Sequence, residues 1–317
     1  MTMGIETLYK SIQEFLTKPP VIIWGAGATV AYGLPSMKIL NELLKKEFDF
    51  FNENNNNLEE ELGNSKYEKY LFDIRKSIWK IINTADEMAL GEIISTFSKF
   101  AGVEKMVKKF LEPHPNNLTI ITTNYDRILE NVMAKLNIDY TDGFYGKLLS
   151  VFDYNQLSVE KTNCVRLLKV HGSLNWFNVD GEVRYFKEND IYEPLIIPPG
   201  KNKYRQAFED PYRTIIQFSD NVIKNAECFL IVGFGFNDEH ITPEIILKTK
   251  YGCPIVLVTK KITDSAKELL KDARKYLFLE EATTGGTVVT IKNGDNVISE
   301  IFKCEELWML DKFMEVF

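Results

Sequence analysis

None of the four cysteines, Cys164, Cys228, Cys253 and Cys304, falls in a C-x-x-C pair. A zinc ribbon therefore has no ligand spacing to build on. Cys228 and Cys253 lie in strongly apolar stretches and read as reduced core residues, which fits a cytoplasmic setting. No apolar run approaches the roughly 20 residues that a membrane helix needs. The opening stretch, MTMGIETLYKSIQEF, has no basic start followed by an apolar segment, so no secretory signal is expected. Positive charge is not in excess. The formal net charge of −7 argues against binding nucleic acid by phosphate neutralisation, although it leaves room for a local basic groove.

The 317 residues with 45% hydrophobic content suffice for one large domain or two small ones. Ile5, Leu8, Ile12 and Phe15 recur at helical spacing. "VIIW", after Pro19-Pro20, reads as a strand that runs into Gly25-Ala26-Gly27. Ser36 reads as an N-cap for a helix carrying Met37, Leu40, Leu43, Leu44 and Phe48. The asparagine tract 52–57 reads as a surface loop that cannot pack. Residues 67–111 are mostly helical in pattern, which predicts a helical insertion over 37–111 between two strands of one sheet. Strands are predicted at "LTIITTNYD", "VRLLKVHG" and "CPIVLVT". "YEPLIIPPGKNKY" reads as a strand ending in a proline-rich loop, and "CFLIVGFGFNDEHI" as a buried strand ending in a second glycine turn. Helices are expected at "RILENVMAKL", at 211–225, and after Thr242-Pro243, where a cap meets a first-turn proline. The charge-rich stretches Lys105–Lys109 and Lys260–Lys275 read as solvated helix faces. "VVTIKNGDNVI" predicts a hairpin with an Asn-Gly turn.

Apolar strands alternating with helices predict a Rossmann-like α/β fold: a mostly parallel sheet with helices on both faces, the 37–111 insertion and a C-terminal β-hairpin, all within a single domain over 1–317. Ligands of such sheets bind beyond the carboxyl ends of the strands. The unusual polar clusters all fall there, at Gly25–Thr29, Thr122–Asp126, His171–Asn175 and Gly233–Asp238, so they are expected to converge on one cleft.

Each cluster admits a structural reading beside a functional one. Gly25-Ala26-Gly27-Ala28-Thr29 either cradles a pyrophosphate or makes a tight strand–helix turn. Val30 stands where a dinucleotide fingerprint has its third glycine. No acid ends a strand about 20 residues on, which disfavours an ordinary dehydrogenase. Asn124 and Asp126 either cap a strand end or set an amide and a carboxylate at the rim of the sheet. His171, one of three histidines, is either structural or a group for proton transfer near neutral pH. His114, between prolines, reads as a surface loop residue, and His240 lies at a helix entrance. Gly233 and Gly235 form a second backbone approach point or a second structural turn. Asp238 either bonds a ribose or caps the next helix.

The ordered set GAGAT, G-x-P, TTNYD, KVHG and GFGFND resembles the sirtuin-like NAD-consuming family, specifically its bacterial branch with TTNYD and HGS motifs, over about residues 20 to 260. The resemblance implies that NAD is the substrate, with Gly25, Ala26, Gly27 and Thr29 along the pyrophosphate. It implies that Asn124 holds the nicotinamide ribose or the attacking water, that Asp126 contacts the carboxamide, and that His171 is the catalytic base. Gly233 and Gly235 would approach the adenosine side, with Asp238 nearby. Deacylating sirtuins usually carry a four-cysteine zinc module and a G-I-P-D-F-R loop. This chain has neither, and Gly33-Leu34-Pro35-Ser36-Met37 stands in place of that loop. The implied activity is cleavage of NAD to nicotinamide and ADP-ribose without a metal, in gated anti-phage defence. Gating would come from a homo-oligomer or from a partner such as a translocase-type ATPase, an Argonaute-like protein or a phage sensor. The alternatives are an NAD-dependent protein deacylase and a non-catalytic NAD or ADP-ribose sensor.

Overall fold

A computed structural model describes residues 4–159, 161–187, 191–200 and 209–317. The end of the expected proline-rich loop, Lys201 to Tyr204, lies outside the described residues. A nine-stranded sheet dominates the fold. Its parallel part comprises β1 (Val21–Trp24), β2 (Asn117–Thr122), β3 (Asp139–Thr141), β6 (Cys164–Lys169), β10 (Phe229–Val232), β11 (Ile255–Val258) and β12 (Lys275–Glu281). β13 (Thr287–Asn293) and β14 (Asn296–Phe302) extend it antiparallel. The strands lie in the order β14-β13-β12-β11-β10-β1-β2-β6-β3.

The central strands are apolar throughout because both of their faces are covered. Side chains alternate across the sheet, and the cores divide accordingly. Ile22 and Trp24 of β1 join one core with Leu230, Val232, Val256 and Val258. Ile23 joins the other with Phe229, Ile231, Ile255 and Leu257. The first core is covered by the helix Ile5–Phe15 and by the helices between residues 37 and 111, which connect β1 to its neighbour β2. The second is covered by the helices Tyr212–Asn225, Thr242–Lys250 and Asp264–Leu269.

The chain leaves β1 toward β2 and β6 on one side, then returns to β10 on the other. This reversal is a switch point, where the loops after β1 and β10 diverge and a crevice opens. Here the two loops also touch. Gly27 N donates to Gly233 O at 2.9 Å, and Gly25 N donates to Val232 O at 2.9 Å. A Cβ on Gly233, which has φ +60, would sit 2.0 Å from Ala28 N, and one on Gly25 would sit 2.5 Å from Gly233 O. Glycine is required at both positions because backbone packs on backbone.

Several elements differ from the sequence expectation. A second, five-stranded antiparallel sheet comprises β4 (Phe144–Tyr145), β5 (Ser150–Phe152), β7 (Gly172–Val179), β8 (Glu182–Tyr185) and β9 (Glu193–Ile196), in the order β4-β5-β8-β7-β9. The predicted strand "YEPLIIPPG" belongs to this sheet. Only Asp264–Leu269 is helical within 260–275, and β12 begins at Lys275. Asn293 pairs with Asn296, so the C-terminal turn is made by Gly294 and Asp295, one residue later than expected. The asparagine tract does pack in part, since Glu61 accepts from Asn52 N at 3.0 Å and from Asn55 Nδ2 at 2.9 Å. Among the described residues, no helix is long and apolar enough to cross a membrane.

Candidate active site

A cleft of about 360 Å³ opens at the switch point. Ala26, Gly27, Thr29, Asn124, Asp126, His171, Gly233, Gly235 and Asp238 all line it. Of the residues to which the resemblance gave a role, Gly25 alone does not line it. It lies behind Asn124, whose Nδ2 donates to Gly25 O at 3.2 Å and to Thr29 Oγ1 at 3.3 Å. A second cavity of about 360 Å³ adjoins the first across Gly27 and Gly233 and is lined by Tyr32, Thr259, Lys260 and Trp308.

Asn124 follows β2 directly. Thr122 Oγ1 accepts from Asn124 N at 3.0 Å and itself donates to Trp24 O at 2.8 Å, which ties this loop to the end of β1. With its amide nitrogen committed, Asn124 is left with Oδ1, which is buried and has no hydrogen-bond partner among the described residues. A buried, unpaired acceptor costs about 1–3 kcal/mol. Here it belongs to a residue that lines the cleft.

His171 follows β6 at the crossover into β7. Gly172 (φ +88) makes the crossover, and a Cβ there would lie 2.1 Å from Leu195 O. His171 O accepts from Ile197 N at 2.9 Å, and the Tyr125 hydroxyl donates to Ile197 O. His171 Nε2 lies 2.7 Å from Asp238 Oδ2. Asp238 Oδ1 accepts from His240 N and Ile241 N, both at 3.0 Å. Asp238 thus braces the turn that precedes the helix Thr242–Lys250, whose own N-cap, Ile241, has no side-chain cap, and its second oxygen turns to the imidazole. His240 packs with its ring 6.3 Å from that of His171.

Beneath the Asn124 loop lies an ionic layer not anticipated from sequence. Arg127 donates from its backbone N to Asp86 Oδ1 at 2.6 Å and from Nε to Asp86 Oδ2 at 2.7 Å. Its Nη1 reaches Asn175 Oδ1 at 2.9 Å. Asp86 lies on the helix Leu71–Ser95, so this clamp fastens the helical insertion to the loop that follows β2. Lys169, fully buried, donates to Asp126 O at 2.6 Å, Tyr125 O at 3.2 Å and Glu130 Oε1 at 2.6 Å. The one sequence cue was a charge inside the apolar strand "VRLLKV", since a buried cation demands partners. Asp86 carried no cue.

Asp126 Oδ1 accepts from Ile128 N at 3.3 Å. Burial, reinforced by repulsion from Asp86 and opposed by Lys169, pushes the Asp126 carboxyl up to about 7. The folded carboxyl thus keeps its proton to near neutrality, whereas the unfolded one releases it near pH 4. The resulting destabilisation is absent below about pH 4, grows as pH rises, and is complete above about pH 7. Asp126→Asn retains the acceptor for Ile128 N and removes the titration. It is expected to raise stability by a few kcal/mol at pH 8, on the order of 1.4 kcal/mol for each tenfold difference in proton affinity between the folded and unfolded carboxyl, and by almost nothing at pH 4. Urea unfolding at the two pH values reads the difference, and an equal gain at both would show that titration of this carboxyl is not its cause.

A family model described as a SIR2-like domain matches residues 118–246. That span runs from β2 through most of the helix Thr242–Lys250 and contains Asn124, Asp126, His171 and Asp238. No curated protein matches the chain. Among solved structures, one described under the mechanism and regulation of Sir2 enzymes is 14% identical, covering 84% of this chain and 90% of that chain at TM-score 0.47. A Sir2 homolog–NAD complex is 13% identical, covering 87% and 89% at TM-score 0.46. A mutant Sir2 homologue with 2'-O-acetyl ADP ribose is 13% identical, covering 99% and 96% at TM-score 0.48.

Proposed function

We propose that this chain is an NAD glycohydrolase, cleaving NAD to nicotinamide and ADP-ribose. The observation that carries the reading is the buried, unpartnered Asn124 Oδ1 in a cleft it shares with His171. Nicotinamide is a cationic substituent that leaves neutral, so no acid has to protonate it. The barrier lies in an oxocarbenium-like ribose, as in glycoside cleavage. The C1′–N bond breaks with its electron pair going to the nicotinamide ring, and water adds to C1′ and loses a proton. Asn124 Oδ1 holds the ribose hydroxyl or that water, and His171 takes the proton. Leu34, Pro35, Met37, Leu40 and Ile82 line the same cleft and limit bulk water around the cation. Asp126 meets the carboxamide, and with its carboxyl pushed up to about 7 it can donate as well as accept near neutral pH. The adjoining cavity across Gly27 and Gly233 takes the adenosine half, which suits a ligand with two ends. Gly25 and Gly27 contribute shape rather than amides, because both N–H groups are already engaged.

The wider setting belongs to the same reading: a gated cytoplasmic effector of anti-phage defence that acts as a homo-oligomer or with a protein partner. Its support is the TTNYD and HGS motif set.

Mass analysis of products from NAD in ¹⁸O-labelled water tests the chemistry. Equimolar nicotinamide and ADP-ribose are expected, with one ¹⁸O in the ADP-ribose. An acyl-ADP-ribose formed only with an acylated peptide would replace this reading by deacylation. NAD bound and left intact would replace it by sensing.

A further inference from the structure

We infer that Asp238 is a positioning residue that fixes the tautomer of His171, so that Nδ1 is the nitrogen that accepts the proton. The inference rests on the proposed hydrolase reading and deepens it. Asp238 was expected near the adenosine side, but the structure sets it against the imidazole. Its two oxygens have separate tasks. Oδ1 is held by the backbone N–H groups of His240 and Ile241 at 3.0 Å each, which fixes the carboxylate. Oδ2 thereby lies 2.7 Å from His171 Nε2, a close contact between the two groups that does not itself meet hydrogen-bond geometry. Both side chains are buried, at 6% and 4% exposure, so the contact excludes water.

The chemistry follows from the inventory of donors. An ionised carboxylate only accepts, so the neutral imidazole facing it carries its proton on Nε2. Nδ1 then keeps its lone pair. In the hydrolytic step, the proton lost by water as its oxygen bonds to C1′ goes to Nδ1. The imidazolium so formed is stabilised by the Asp238 charge, and the proton on Nε2 stays where it was. Nothing is consumed beyond NAD and water.

Asp238→Asn separates this role from the bracing of the turn at His240 and Ile241. Asparagine Oδ1 can still accept from His240 N and Ile241 N, which leaves its NH₂ facing Nε2. An NH₂ donates, so it demands an unprotonated Nε2 and drives the imidazole proton to Nδ1. The base is then blocked while the fold is retained. We expect kcat to fall about 10²–10⁴-fold with KM within about threefold. In the His171→Ala background the same substitution should cost less than about twofold, because residues that act as a unit are not additive. ¹⁵N NMR of histidine-labelled full-length chain, with the His171 signal assigned by its loss in His171→Ala, reads the tautomer without any turnover. The expected result is protonated Nε2 in the wild type and protonated Nδ1 in Asp238→Asn. The inference is overturned by protonated Nδ1 in the wild type, by an unchanged tautomer in Asp238→Asn, by equal losses in both backgrounds, or by activity that rises on substitution. A chain that never cleaves NAD would sink the hydrolase reading, yet the NMR result would still decide the tautomer.

Discussion

Asn124→Ala is expected to slow nicotinamide release about 10²–10³-fold, the usual loss when one preorganised polar group is removed from a reaction centre. The amide cannot drift in the wild type, because Gly25 O and Thr29 Oγ1 both hold its nitrogen. Its oxygen is buried and has no hydrogen-bond partner among the described residues, and in the proposed reaction the sugar supplies the donor. A hydrogen bond from the sugar hydroxyl to this oxygen strengthens as the ribose becomes cationic, and only that excess over its strength to bound NAD lowers the barrier. The change should consequently appear in kcat more than in KM. Gly25 O keeps Ala28 N as a donor at 3.0 Å, so losing the side chain should cost only about 1 kcal/mol of stability. Circular dichroism and a urea midpoint taken alongside the kinetics check that the fold persists. Turnover within about tenfold of wild type in a folded Asn124→Ala chain would remove the residue from the mechanism.

The largest stability effect is expected at Lys169. Lys169→Met leaves the Glu130 carboxylate buried without its cation and leaves the Tyr125 and Asp126 carbonyls without that donor. Stripping one partner from a buried ion pair costs about 3–5 kcal/mol. The midpoint of urea unfolding should fall with little change in slope. Lys169→Met combined with Glu130→Met should recover most of the loss, because replacing both charges by packed apolar groups is often neutral. A single substitution as mild as an ordinary surface change, within about 0.5 kcal/mol, would show that the pair bears little on the fold.

Much of the site could be read from the chain because its parts obey a local rule. Asn124 follows an apolar strand, as do His171 and both glycine turns, and a parallel sheet gathers what lies just beyond its carboxyl ends. The role of the glycines could not be read the same way. Gly25 and Gly233 look like ligand approach points in isolation, but their absent side chains make room for each other's backbone. Asp238 illustrates the same boundary. Its bonds to His240 and Ile241 are local, made in the turn before the helix it was expected to cap, whereas its contact with His171 joins residues far apart in sequence. The second sheet escaped notice because β4, β5 and β8 are short, partly exposed strands without strong alternation. β12 has an apolar centre, but the charges of Lys275, Glu280 and Glu281 at its ends mask it.

The interlocked turns after β1 and β10 make the pair a single inheritable unit. A side chain introduced at 233 collides with residues 27 and 28, and one at 25 or 27 collides with 233. A homologous segment can therefore replace one of the turns only if it keeps glycine at these positions. A recombinant that brings a side chain to either turn must rebuild the junction between them.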